Sequence, residues 1–97
     1  MRPHAREFAR QELADRAAHA VADVLGTPPG APRSARSLFD LPGFDSIAVV
    51  TVLERLETDL GVEVPADLIV PEAFDSLDSL TDLLATTVAG ATPEAIR

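Results

Sequence analysis

Asp45-Ser46-Ile47-Ala48-Val49-Val50-Thr51-Val52-Leu53-Glu54-Arg55-Leu56-Glu57-Thr58-Asp59-Leu60-Gly61 is the stretch whose reading decides the fold. Val49, Leu53, Leu56 and Leu60 recur at spacings of four, three and four, which places them on one side of a 3.6-residue turn and predicts an amphipathic helix starting at Asp45 or Ser46. Gly61 is its expected C-terminal cap. Ile47, Val50 and Glu54 then fall on a neighbouring, more exposed face. The β-branched run Val49-Val50-Thr51-Val52 is mediocre for an isolated helix, so tertiary packing must hold it. A buried strand over 47–53 is the competing reading. The continuation Glu54-Arg55-Leu56-Glu57, and the lack of any other convincing strand, argue against it.

Upstream, Phe8, Leu13, Ala17, Val21 and Val24 recur at helical spacing over about residues 5–25, and Gly26 with Pro28-Pro29 supplies a stop. Residues 26–44 are rich in Pro, Gly, Ser and Ala and read as a long surface connection, with a turn of helix at 37–40. Connections this long in a small domain are usually functional or mobile. Downstream, Val62-Glu63-Val64-Pro65 is a short extended connector. A short third helix is expected within 66–74, interrupted or restarted at Pro71, because proline suits a first helical turn. The last helix is expected over 76–88, with Leu77, Leu80, Leu84 and Val88 on one face and Asp75 or Ser76 as its cap. Phe39, Phe44 and Phe74 read as core or loop-anchoring residues. The fold class predicted is all-α, a small four-helix bundle with a long loop between the first two helices and a short third helix. Residues 1–97 form one domain, of which 89–97 read as a frayed tail.

The chain has 97 residues and no cysteine, so it offers no thiol nucleophile, disulfide or thiolate metal site. Tyrosine and tryptophan are absent and there are two histidines, which leaves few general acid/base candidates beyond carboxylates. Residues 1–36 carry six arginines against Glu7, Glu12, Asp15 and Asp23, whereas residues 37–97 carry twelve acids against Arg55 and Arg97. Such a field disfavours nucleic acid and anionic lipid and favours proteins with basic docking surfaces; it also keeps a small domain soluble. No apolar run approaches the roughly 20 residues of a membrane span, and the N-terminus lacks the pattern of a secretory signal. The expectation is a cytoplasmic monomer.

An Asp-Ser-apolar triplet occurs three times, as Asp45-Ser46-Ile47, Asp75-Ser76-Leu77 and Asp78-Ser79-Leu80. Context separates them. Ser46 follows the loop Leu41-Pro42-Gly43-Phe44 and opens a helix; a plain N-cap is the structural alternative for it. Ser76 reads as the cap of the last helix, and Ser79, one turn further in, as a surface residue.

The run Leu41-Pro42-Gly43-Phe44-Asp45-Ser46-Ile47, the following Leu53-Glu54-Arg55-Leu56-Glu57, the connector Gly61-Val62-Glu63-Val64-Pro65 and Phe74-Asp75-Ser76-Leu77 stand in the order found in acyl carrier proteins. The chain resembles that family, in its free-standing type, over about 38–84, with Ile47 where leucine is usual. The resemblance implies that Ser46 receives a covalent 4′-phosphopantetheine arm, that Asp45, Ile47 and Val50 surround it, and that Glu54, Glu57 and Asp59 help to form a docking surface. It implies as partners a phosphopantetheinyl transferase and acyl-loading and acyl-processing enzymes. It further implies a non-catalytic role, tethering acyl or aminoacyl thioesters. Two departures matter. Ala48-Val49-Val50-Thr51 carries no acid where fatty-acid-synthesis carriers usually have some, and Gly43-Phe44-Asp45 stands where peptidyl carriers have Gly-Gly. These point to a specialised pathway, polyketide-like or loaded by an adenylating ligase.

Other readings are weaker. Asp15 and His19, four apart, suggest a surface pair before a metal site. Glu54 and Glu57 on an exposed face lack the pocket an acid/base pair needs. A hydrolase using Ser46 would need a Gly-x-Ser-x-Gly elbow and a histidine base, yet both histidines belong to the N-terminal segment. The alternative from a different class is an unmodified acidic helical module that binds a basic partner.

Overall fold

In a computed structural model, residues 8–90 are described, and among them every regular element is helical. Four α-helices follow one another: α1 (Arg10–Leu25), α2 (Gly30–Ser34), α3 (Ser46–Leu60) and α4 (Leu77–Gly90). Single turns of 3₁₀-helix occupy Leu38–Asp40, Ala66–Leu68 and Pro71–Phe74. The chain is thus a small helical bundle in which α1 packs against both α3 and α4.

The core follows from which face of each helix is apolar. In α1, Leu13, Ala17, Ala18, Val21 and Ala22 are buried, and the alanines let neighbouring helices come close. Phe8 and Val24, also expected on this face, are partly buried at the core margin. The expected residues 5–7 of this helix lie outside the described residues, and residues 8 and 9 precede it: the helix starts at Arg10, with Ala9 as its extended N-cap. Gly26 ends α1 at φ 71°, the left-handed conformation that glycine adopts without a Cβ penalty, and returns its N–H to the Ala22 carbonyl. Gly61 ends α3 in the same way at φ 69°.

Within α3 the buried set is Ala48, Val52, Leu53, Leu56 and Leu60. This corrects the stripe predicted from spacing: Val49 is only partly buried, and Val52 is fully buried. A helix held between neighbours buries a wider arc than a four-residue stripe, and here the arc extends towards Ala48 and Val52. The β-branched Val52 is accordingly held by packing.

Two further differences concern short elements. The long connection contains α2, which its Pro and Gly content hid; Pro32 lies in the first turn, where backbone N–H groups have no helical acceptor, and its ring is buried. The third helix is two separate 3₁₀ turns. Pro71 disfavours helical backbone at the residue before it, and Val70 is extended at φ −127°, ψ 154°, so the chain stops and restarts there. The last helix reaches Gly90, so residues 89 and 90 continue it; residues 91–97 of the expected tail lie outside the described residues.

Charge uneven along the chain is partly balanced in space. Arg10 reaches across to Asp78 and Asp82 of α4, at 2.9 and 2.6 Å. Arg16 and Arg55 bridge α1 and α3 through Asp59 (2.7 Å) and Asp23 (2.5 Å), and Arg33 of α2 pairs with Asp15. All are solvent-exposed pairs, which fix helix orientation more than they stabilise.

Candidate functional site

The loop before α3 is pinned at both ends. Leu38 is fully buried, its N–H donates to the Asp75 carbonyl at 2.7 Å, and Ser37 Oγ donates to Asp75 Oδ1 at 2.9 Å. Phe44 is buried six residues later, its ring 5.2 Å from that of the more exposed Phe39. Phe44 and Phe74 are therefore core residues, and Phe39 leans on the loop from outside. Between the anchors Gly43 turns at φ 87°, a backbone conformation side chains disfavour. Its carbonyl accepts the Asp45 N–H at 3.0 Å.

Asp45, not Ser46, is the N-cap of α3. It is extended, and its Oδ1 accepts the Ala48 N–H at 2.9 Å while its carbonyl accepts the Val49 N–H. This decides the ambiguity at the helix start. With the capping carried by Asp45, Ser46 is the first helical residue, exposed, and its hydroxyl makes no hydrogen bond among the described residues. The N–H groups of Ser46 and Ile47 sit at the end of the helix where no intrahelical acceptor exists.

The other two serines are engaged. Ser76 Oγ accepts the Ser79 N–H, and Ser79 Oγ accepts the Ser76 N–H, both at 3.0 Å, a reciprocal cap on α4. Ser79 Oγ also donates to the Ala73 carbonyl at 3.1 Å. Ser79 is therefore a partly buried capping residue and not the surface residue its position suggested. Its partner lies three residues back, a signal the Ser-x-x-Ser spacing contains.

The remaining predicted residues divide into two groups. Ile47 is 75 % exposed and Val50 53 %, and they share with the exposed Glu54 the outward face of α3. Glu57 instead turns to the connector, where its Oε2 accepts the Val64 N–H at 2.8 Å. Asp59 faces α1 and is held by Arg16 at 2.7 Å; Asp59, chiefly, raises the Arg16 pKa above its ordinary value. Local sequence gave no sign of the Glu57 contact, because its acceptor role depends on where the connector folds back.

Asp15 and His19 do not converge on a common ligand. The Asp15 carboxylate pairs with Arg33, and His19 Nδ1 lies 2.8 Å from the Asp15 backbone carbonyl. An open groove of about 680 Å³ runs between α1 and α3, beginning at Thr51 and reaching Asp59. It lies down the helix from Ser46, and the Arg16–Asp59 and Arg55–Asp23 pairs cross it.

What the helix start can do chemically is present an unbonded hydroxyl beside a positive helix end, with no acidic side chain in the first turn of α3. A phosphodiester on Ser46 fits that environment, since the free N–H groups favour an anion. No described helix is long and apolar enough to cross a membrane.

A protein-family model described as the phosphopantetheine attachment site matches residues 15–84. No curated protein and no solved structure gives a significant match.

Proposed function

The chain belongs to the phosphopantetheine attachment-site family, and we propose that Ser46 carries its covalent 4′-phosphopantetheine and that the protein works as an acyl carrier. One observation carries the choice of residue: of the three Asp-Ser-apolar serines, Ser46 alone has an exposed hydroxyl without a hydrogen-bond partner among the described residues. When bound, the group supplies a terminal thiol that holds an acyl or aminoacyl chain as a thioester, which this cysteine-free chain cannot supply itself.

The chain's own residues present and orient. Asp45 caps α3 and so leaves the Ser46 hydroxyl free as a nucleophile towards the pyrophosphate of coenzyme A, whose P–O bond breaks to release adenosine 3′,5′-bisphosphate; the hydroxyl proton leaves to the modifying enzyme, because it has no acceptor among the described residues. The N–H groups at the helix start then face the new phosphodiester charge. Leu38 and Phe44 hold the loop, so that Ser46 would give an attached arm a fixed base, from which a tethered cargo would be offered at high effective concentration. On this reading the protein is a cytoplasmic monomer that breaks no bond of the cargo. Its partners are a phosphopantetheinyl transferase and acyl-loading and acyl-processing enzymes. The acid-free first turn of α3 supports a specialised pathway, polyketide-like or ligase-loaded, over standard fatty-acid synthesis.

The test is intact mass after treatment with a broad-specificity phosphopantetheinyl transferase and coenzyme A. The wild-type chain and the Ser76→Ala and Ser79→Ala variants should gain one phosphopantetheine, and Ser46→Ala none. Modification persisting in Ser46→Ala would move the site, and no gain in any variant would favour the unmodified interaction module.

A further inference from the structure

The chain reaches Ser46 through a tight turn, and a side chain from another helix stands against that turn. The Phe44 N–H donates to the Leu41 carbonyl at 3.1 Å, with Pro42 and Gly43 between them and Gly43 at φ 87°. Proline in the second place and a positive φ in the third is the pattern of a type II β-turn. The Asp45 N–H then returns to the Gly43 carbonyl at 3.0 Å, so Gly43 is bonded directly to the residue that caps α3.

A Cβ built on Gly43 would lie 3.5 Å from Leu25 Cδ2, an ordinary van der Waals distance. Among the described residues no other atom, apart from those of its chain neighbours, would come within 4 Å. Glycine is therefore required here by its φ and not by lack of room, and Leu25 alone closes the space beside it. Leu25 is the last residue of α1 and is half-buried at the core margin. Its backbone is held, because the Ala22 carbonyl accepts both the Gly26 N–H and, at 2.9 Å, the Thr27 N–H, which closes the helix end.

We propose that Leu25 is a positioning residue for the modification of Ser46: by standing against Gly43 it fixes the turn relative to α1, and so sets the direction in which the capped start of α3 offers the hydroxyl. The proposal rests on the assignment of Ser46. In that reaction Ser46 Oγ attacks phosphorus and displaces adenosine 3′,5′-bisphosphate from coenzyme A, with the proton passing to the enzyme. An oxygen displaced by about 1 Å loses rate even when the two proteins bind as before. Truncating Leu25 removes the stop behind the turn and leaves the exposed residues around Ser46 in place, so the loss should fall on kcat and spare KM.

The first readout is steady-state modification of the full chain by a broad-specificity phosphopantetheinyl transferase with saturating coenzyme A, at a temperature where every variant is folded. Leu25→Ala should lower kcat about tenfold with KM within about twofold of wild type, and Leu25→Met, which refills the space, should bring kcat back to within about twofold. Val88→Ala truncates another half-buried aliphatic side chain, outside α1 and the loop, and should leave both constants at their wild-type values. The second readout needs no enzyme. In the unmodified chain, Leu25→Ala should speed amide exchange about tenfold at Phe44 and Asp45, whose N–H groups close the turn, and leave Val52 in the middle of α3 protected. Wild-type kcat or wild-type exchange at those two amides in Leu25→Ala overturns the positioning role and leaves Ser46 in place. Loss of kcat in Val88→Ala equal to that in Leu25→Ala, or no recovery in Leu25→Met, also overturns it, since general loosening of the core would then account for the effect. A wild-type chain that gains no mass overturns the Ser46 assignment and the positioning role together.

Discussion

Ser37 Oγ donates to Asp75 Oδ1 at 2.9 Å, and Asp75 also accepts the Leu38 N–H through its backbone carbonyl at 2.7 Å. Two residues far apart in sequence thereby tie the loop that leads to Ser46 to the segment that leads into α4. The long connection, of a kind usually functional or mobile, is tied down by this latch and by the burial of Pro32, Leu38 and Phe44. On the proposed reading, motion in the delivery of a tethered cargo belongs to the arm, and the protein contributes a fixed origin.

The latch makes a direct prediction. Asp75→Ala removes the side-chain acceptor and keeps the backbone one, and should cost about 1 kcal/mol. Because Ser37 Oγ also accepts the Phe39 N–H at 3.2 Å, releasing it should speed amide exchange at Leu38 and Phe39 while leaving the middle of α3 protected. Exchange at those two amides unchanged from wild type would show that buried Leu38 holds the loop unaided.

Capping and the proposed modification fall on adjacent residues, and substitutions should separate them. Asp45→Ala removes the acceptor of the Ala48 N–H and should lower stability by about 1 kcal/mol, with Asp45→Asn recovering most of it. Ser46→Ala should cost almost nothing in a urea titration, since the hydroxyl is unbonded among the described residues and alanine is the better helix former. A large loss for Ser46→Ala would mean that the hydroxyl is structural.

What the sequence made legible was whatever local periodicity and capping control. The apolar spacing of α1, α3 and α4 and the glycines at 26 and 61 are decided within a few turns, and the helices lie where those signals put them. The place of Ser46, at the junction of a Pro/Gly loop with a strong helical pattern, was legible for the same reason. The rest depends on tertiary context. Neither the rotation of the α3 core towards Val52 nor the turn of Glu57 to Val64 N–H is visible without knowing what each packs against. Helix α2 was masked because prolines that break a helix interior are compatible with its first turn. Arg16 and Asp59 are distant in sequence, so an acid that reads as a docking charge is half of an internal pair.

Thr87 offers a test of the core itself. It is buried, 4 % exposed, and its Oγ1 has no hydrogen-bond partner among the described residues. A buried unsatisfied hydroxyl carries a desolvation penalty, and valine has nearly the same shape without it. Thr87→Val should therefore raise the urea midpoint, by about 1 kcal/mol in unfolding free energy with an unchanged slope. Destabilisation by a similar amount would mean that the hydroxyl is hydrogen-bonded in solution.

The last prediction separates the two faces of α3. Leu56 is 1 % exposed and Ile47 75 %, and nine residues at about 100° each set them half a turn apart on the helix. Leu56→Ala removes a buried side chain from the centre of the core and leaves a cavity, so it should cost about 2–4 kcal/mol, a large share of a small domain's stability. Ile47→Ala removes little buried area, and alanine favours the helix, so its urea midpoint should match wild type. Transferase rates should show the opposite order: Ile47→Ala slower than wild type, and Leu56→Ala near the wild-type rate at temperatures where it remains folded. If Ile47→Ala unfolded the protein while Leu56→Ala left its midpoint unchanged, the outward face of α3 would have to be redrawn, and with it the surface offered to enzymes at Ser46.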